Sequence, residues 1–87
     1  MSETMLLSDQ IAHAIHAELG LKGCARRSVA ALYAVAIGAA SHRGSEYWVP
    51  LNNAISARFG TAGLTSVKAA AWEIYEAAAQ RLKDAAR

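Results

Sequence analysis

Apolar residues recur along this chain with the period of an amphipathic helix, and polar or glycine-rich breaks divide the pattern into four runs. Ile11, Ile15 and Leu19 repeat at i, i+4, i+8 and predict a first helix over 8–19. Ser8 stands where an N-cap belongs, Asp9 falls in the first turn, and Gly20 followed by Leu21 has the form of a left-handed C-terminal cap with its apolar contact. A second helix is expected over 26–40, with Val29, Leu32, Tyr33, Ala36 and Ala40 on one face and Val35, Ile37 and Ala39 widening it almost all the way round. A helix apolar on most sides belongs at the centre of a bundle, and its alanines and Gly38 permit close neighbours.

Residues 41–48, SHRGSEYW, read as a loop, with Tyr47–Val49 as a short extended approach to Pro50. Pro50 suits the first turn of a short third helix over 51–59, whose inner stripe is Leu51, Ala54, Ile55 and Phe59. Gly60-Thr61-Ala62-Gly63-Leu64 reads as a tight link, after which Thr65 or Ser66 caps a last helix. That helix carries two adjacent stripes. Val67, Ala71, Ile74 and Ala78 are expected to complete the core, and Trp72, Tyr75, Ala79 and Leu82 repeat at heptad spacing beside them.

The expected architecture is therefore all-α: a compact four-helix domain spanning residues 1–87, containing a helix-turn-helix over about 50–75. Composition agrees. Alanine supplies 21 of the 47 apolar residues, which leaves material for one thin core in 87 residues and none for a cleft between two domains. Alanine is the best helix former and a poor strand former, so all-β and parallel α/β folds are disfavoured. With 18% charged residues and a positive mean hydropathy, intrinsic disorder is excluded. The longest uncharged interior run, 28–42, is shorter than the roughly 20 residues a membrane span needs. A start of MSETMLL, with an acid where a secretion signal carries a base, and the lone Cys24 favour a cytoplasmic protein.

Net charge of +2 conceals an asymmetry. Residues 1–21 sum to −3, residues 22–68 to +5 and residues 69–87 to zero. A basic middle with Glu46 as its one acid favours a polyanionic partner.

Within that middle lies the helix-turn-helix grammar: a short helix with small inner residues Ala54 and Ala57, a glycine at Gly60 tolerant of positive φ, and a second helix opening with Thr65, Ser66 and Lys68. The stretch NNAISARFGTAGLTSVKAAAWEIY resembles the small helix-turn-helix transcriptional repressors of plasmids and phages, the Kor group among them. It departs from their usual pattern in having Ser56, where alanine is usual, four residues before Gly60. The resemblance implies a sequence-specific repressor that binds double-stranded DNA as a homodimer. Thr65, Ser66, Lys68 and Ala69 would then face base edges, and Arg26, Arg27, Arg43 and Arg58 would contact phosphates, with His42 assisting. The dimer contact is expected from the first helix or from the last, and the larger side chains Trp72, Tyr75 and Leu82 favour the last.

Blander readings stand beside these. The hairpin is also what an ordinary helical bundle contains, solvated surface arginines account for the cations, and Trp48 is as well placed to plug the core as to meet a sugar. A small helical protein-binding inhibitor or adaptor, encoded by a phage or plasmid and making no DNA contact, is the alternative function. No catalytic motif is present, so no enzyme activity and no cofactor are expected. His13 and His16, three apart, and Cys24 do not make up the four ligands of a structural zinc, and no metal is expected.

Overall fold

The computed structural model describes residues 6–86, and all of its regular structure is helical. The acid in the MSETMLL start, Glu3, and the terminal cation Arg87 lie outside the described residues. Three helices follow one another: α1 (Leu7–Leu19), α2 (Arg26–Ala39) and α3 (Ser45–Ala85). The third bends at Gly60, whose φ of 82° and ψ of 171° are non-helical, so that α3 has a first arm over 45–59 and a second over 61–85.

The core is one cluster to which every helix contributes. Ile11 and Ile15 enter from α1, Val29, Tyr33 and Ile37 from α2, Leu51 and Ile55 from the first arm, and Val67 and Ala71 from the second. α2 carries six buried positions in 14 residues and packs against both other helices, as its wide apolar surface predicts. Gly38 lets Tyr75 lie directly on the helix: a Cβ there would stand 3.3 Å from the Tyr75 ring.

Local expectations changed at five places. Ser8 is the second residue of α1 rather than its N-cap. It is 3% exposed, and its hydroxyl accepts a hydrogen bond from Arg43 instead of from the helix amides. Gly20 is right-handed (φ −78°), because the chain leaves α1 through successive tight turns. Leu21 is left largely exposed, without the apolar contact of a left-handed cap.

The loop expected over 41–48 is confined to residues 40–44, and α3 begins at Ser45. Tertiary contacts decide this start. As helical residues, Tyr47 donates its O–H to the Ser8 carbonyl at 2.8 Å and Trp48 packs on the rings of Tyr33 and Tyr47. Gly44 donates its N–H to the Glu46 carboxylate at 3.2 Å, closing the first turn. Pro50 therefore sits inside the helix, past the first turn, and removes one backbone hydrogen bond from an exposed stretch.

The five-residue link expected at 60–64 is one residue long. Gly60 takes the whole change of direction, and the helix resumes at Thr61. Gly63 is buried against the Phe59 side chain, with no room for a Cβ, and its backbone is ordinary helix. Thr65 and Ser66 lie a full turn inside the second arm and cap nothing. The Thr65 hydroxyl donates to the Thr61 carbonyl at 3.2 Å.

The sequence pattern places Val67, Ala71, Ile74 and Ala78 in the core. Burial stops at Ala71. Ile74 is 40% exposed, and no residue from Trp72 to Ala86 is buried. Tyr75 lies against Gly38, next to the end of α2, so the last turns of α3 run on with no helix beside them. The Cα radius of gyration, 13.7 Å, exceeds the roughly 12 Å of a compact chain this long for that reason.

Candidate nucleic-acid interface

Arg26 and Arg27 are the first two residues of α2, and the first turn of that helix contains no acid. Unbonded backbone N–H groups and two guanidinium groups thus share one helix end, where the helix dipole already disfavours cations. Both side chains are exposed, and they wall a groove of about 360 Å³ between α2 and the second arm of α3. Its floor is Ala30, Val67 and Ala70, and its far wall contains Ser66, Glu73 and Ile74.

The bend at Gly60 gathers a third cation. The Arg26 guanidinium lies 5.9 Å from the Phe59 ring centroid and that of Arg58 lies 5.5 Å from it. Two like charges from different helices share one aromatic ring, where the ring quadrupole offsets part of their mutual repulsion. Among the described residues neither of them, nor Arg27 nor Lys68, forms an ion pair. Thr65, Ser66, Lys68 and Ala69 are all exposed on the second arm. With the arm starting at Thr61, they occupy its second and third turns. Thr61 and Ala62, also exposed, occupy the first, a place the sequence left to the link.

Arg43 stands apart from this group. Its Nη1 donates to Ser8 Oγ at 2.8 Å and to Asp9 Oδ1 at 3.1 Å, its Nε lies 3.6 Å from Glu46 Oε1, and its guanidinium packs 5.0 Å from the Tyr47 ring centroid. The Asp9 hydrogen bond holds its charge most firmly. The backbone N–H groups of Glu46 and Gly44, with Arg43 added, hold the Glu46 carboxyl below its ordinary range. Arg43 is thus the clasp that ties α1 to the start of α3 through Nη1 and Nε. It lies apart from the cations that meet on Phe59. Its neighbour His42 is exposed, and Trp48, half-buried against Tyr33 and Tyr47, belongs to the core margin.

Among the described residues no three His, Cys, Asp or Glu side chains lie close enough to hold a metal ion, and no helix is long and apolar enough to cross a membrane. His13 and His16 are exposed, and Cys24 is a half-buried free thiol at the core margin.

Trp72, Tyr75 and Leu82 are exposed, the first and last at 48% and 73%. Beside them lies a second groove of about 430 Å³, almost wholly apolar, to which Val35, Gly38, Ile74 and Ala78 contribute. Sequence reasoning assigned Ile74 and Ala78 to the core and missed this groove. The signal available was that the last helix has two apolar stripes while the chain has too few other helices to cover both.

No family model, no curated protein and no solved structure matches this chain.

Proposed function

We propose that this chain is a DNA-binding transcriptional repressor that acts as a homodimer in the cytoplasm and reads its site with the second arm of α3. The observation that carries the reading is the meeting of Arg26 and Arg58 on Phe59, with Arg27 alongside and, among the described residues, no carboxylate bonded to any of them. One acid, Glu73, lines the groove with Arg26 and Arg27, so the three arginines remain in excess and are suited to successive phosphates, and the free amides at the start of α2 add donors to the same side. The two arms of α3 serve as the helix-turn-helix, with Gly60 as its turn. Arg26, Arg27 and Arg58 hold the backbone, and Ser66, Lys68, Ala69 and Thr65, with Thr61 ahead of them, face the base edges. One such motif buries little surface, so two copies on two half-sites supply the affinity.

The test is a titration of the DNA upstream of the chain's own gene, and of random-sequence DNA, at several salt concentrations. Selective binding at moderate salt is expected. Arg58→Ala should weaken binding to both DNAs and lower the salt slope by about one. Ser66→Ala and Lys68→Ala should each cost roughly 1–3 kcal/mol on the operator alone. Equal losses on both DNAs would remove base reading from this arm, and binding confined to low salt would reduce the reading to charge attraction.

The second reading, a protein-binding inhibitor or adaptor, is favoured by the exposed apolar surface of Val35, Trp72, Ile74 and Tyr75. Absence of DNA binding at any salt concentration, with that surface occupied by another protein, would establish it.

A further inference from the structure

The last turns of α3 pose a physical problem that a second copy of the chain solves. Residues 72–85 form about four turns of helix with no buried side chain, the part beyond Ala78 runs past α2, and a helix end without packing is marginal in water. Their charges are equally unmatched. Glu76 has Ala79 and Gln80 three and four residues ahead, Lys83 has the same two residues behind it, and neither forms an ion pair among the described residues.

We infer that the second arm of α3 pairs with the same arm of a second copy, antiparallel about a two-fold axis, along Trp72, Tyr75, Ala79 and Leu82. Those four residues keep the three-and-four spacing of a two-helix seam. Glu76 and Lys83, seven apart, lie on the same flank of it. An antiparallel pair whose two-fold axis passes level with Ala79 and Gln80 brings Glu76 of each copy beside Lys83 of the other, so symmetry makes the contact twice. Ala79 and Leu82 then meet across the seam, and Tyr75 and Trp72 lie over the C-terminal end of the other copy's helix. A parallel pair would set Glu76 level with Glu76 and Lys83 level with Lys83, with no attraction between them. Ala79 at the middle lets the axes approach. Leu82 of the second copy then reaches the apolar groove beside Tyr75 and Ala78, where Val35 and Ile74 are also exposed. The seam rests on the homodimer part of the function proposed above and is independent of its DNA part.

Sedimentation equilibrium of the full chain without DNA tests it. The wild type should be a dimer at tens of micromolar. Glu76→Lys alone and Lys83→Glu alone should each weaken the dimer about tenfold, by turning two attractions into two repulsions. The double exchange should restore it, and so should mixing the two single variants, whose mixed pair regains both attractions. Leu82→Asp should give monomers that keep the cooperative unfolding of the core and lose only the part of the helical circular dichroism that the last turns of α3 contribute. A monomeric wild type would overturn both the seam and the homodimer. A dimer indifferent to the charge exchanges and to Leu82→Asp would overturn the seam alone. The DNA titration is read separately and decides neither result.

Discussion

Gly60→Ala adds one methyl group to open space and should still unfold the protein more easily. An added Cβ at this position has nothing within 4 Å, so no clash contributes, and the whole effect lies in the backbone. A φ of 82° with ψ of 171° belongs to a region that only glycine occupies freely, and an L-residue held there costs of order 1–3 kcal/mol. Fewer unfolded conformations for alanine return about 0.4–1 kcal/mol. The chain has one escape, which is to straighten α3 into continuous helix. That gains roughly 1 kcal/mol of helix propensity at the former glycine. It also draws Val67 and Ala71 out of the cluster they share with Leu51 and Ile55, and exposing a valine of that kind costs about 1.5–3 kcal/mol by itself. Straightening is therefore no cheaper than strain, and a net loss of about 1–2 kcal/mol is expected on either route.

In thermal unfolding followed at 222 nm, at fixed protein concentration, that is a fall in Tm of roughly 5–15 °C for a domain of this size. Two comparisons isolate the cause. Gly23→Ala, also in open space but at an ordinary φ, should change stability by less than about 0.5 kcal/mol. D-alanine placed at position 60 by chemical ligation should behave like glycine, because the mirror image of this conformation is ordinary extended backbone for an L-residue. If Gly60→Ala were neutral or stabilising, α3 would not be bent there, and the joining of its two arms on one core would be wrong.

Two other positions give independent tests. Removing the clasp with Arg43→Ala should lower the urea midpoint more than Asp9→Asn does, because it strips the buried Ser8 hydroxyl of its donor as well as breaking the ion pair, and equal effects would reduce the clasp to its exposed charges. Burial raises the phenol pKa of both Tyr33 and Tyr47, so the fold holds their protons more tightly than the unfolded chain does. Stability from this source is complete below the ordinary tyrosine value of about 10 and is lost as pH rises beyond it, and Tyr47→Phe should abolish part of that alkaline loss while costing about 1 kcal/mol at neutral pH. Titration of the tyrosine absorbance at 295 nm with both phenols ionising near the ordinary value would contradict the assignment.

The first two helices are legible in the sequence because their signals are local. Ile11 and Ile15 are buried one turn apart, and α2 ends within a residue of the expected place. From residue 41 onward the deciding contacts are distant in the chain. Serine, glycine and proline around Tyr47 and Trp48 signal a loop, but the partners that make them helical are Ser8 and Tyr33. Arg43 reads as a free loop cation for the same reason, its partners lying 34 and 35 residues earlier. The two glycines at 60 and 63 look alike in sequence and do different work: one supplies a positive φ, the other an absent side chain beneath Phe59. Composition cannot separate these, and reading both as turn residues lengthened the link and displaced the start of the last arm.

The candidate site inherits that geometry. Arg26, Arg27 and Arg58 stand out as unbalanced charge in the sequence, but their proximity depends on where Gly60 turns the chain. The residue before the turn is Phe59, which carries Arg26 and Arg58 on its ring, and the buried positions after it, Gly63 and Val67, fix the second arm alongside α2. With the arm resuming at Thr61, Thr65 and Ser66 are presented on regular helix rather than at a cap, while the far end of the same arm leaves the core at Ala71 and exposes Trp72, Tyr75 and Leu82. One bent helix thus sets both the spacing between the cations and the exposed side chains that follow them, and the direction in which its apolar end projects. A substitution that relaxes the bend should therefore disturb DNA binding and self-association together, whereas Arg58→Ala should disturb only the first and Leu82→Asp should act on self-association first.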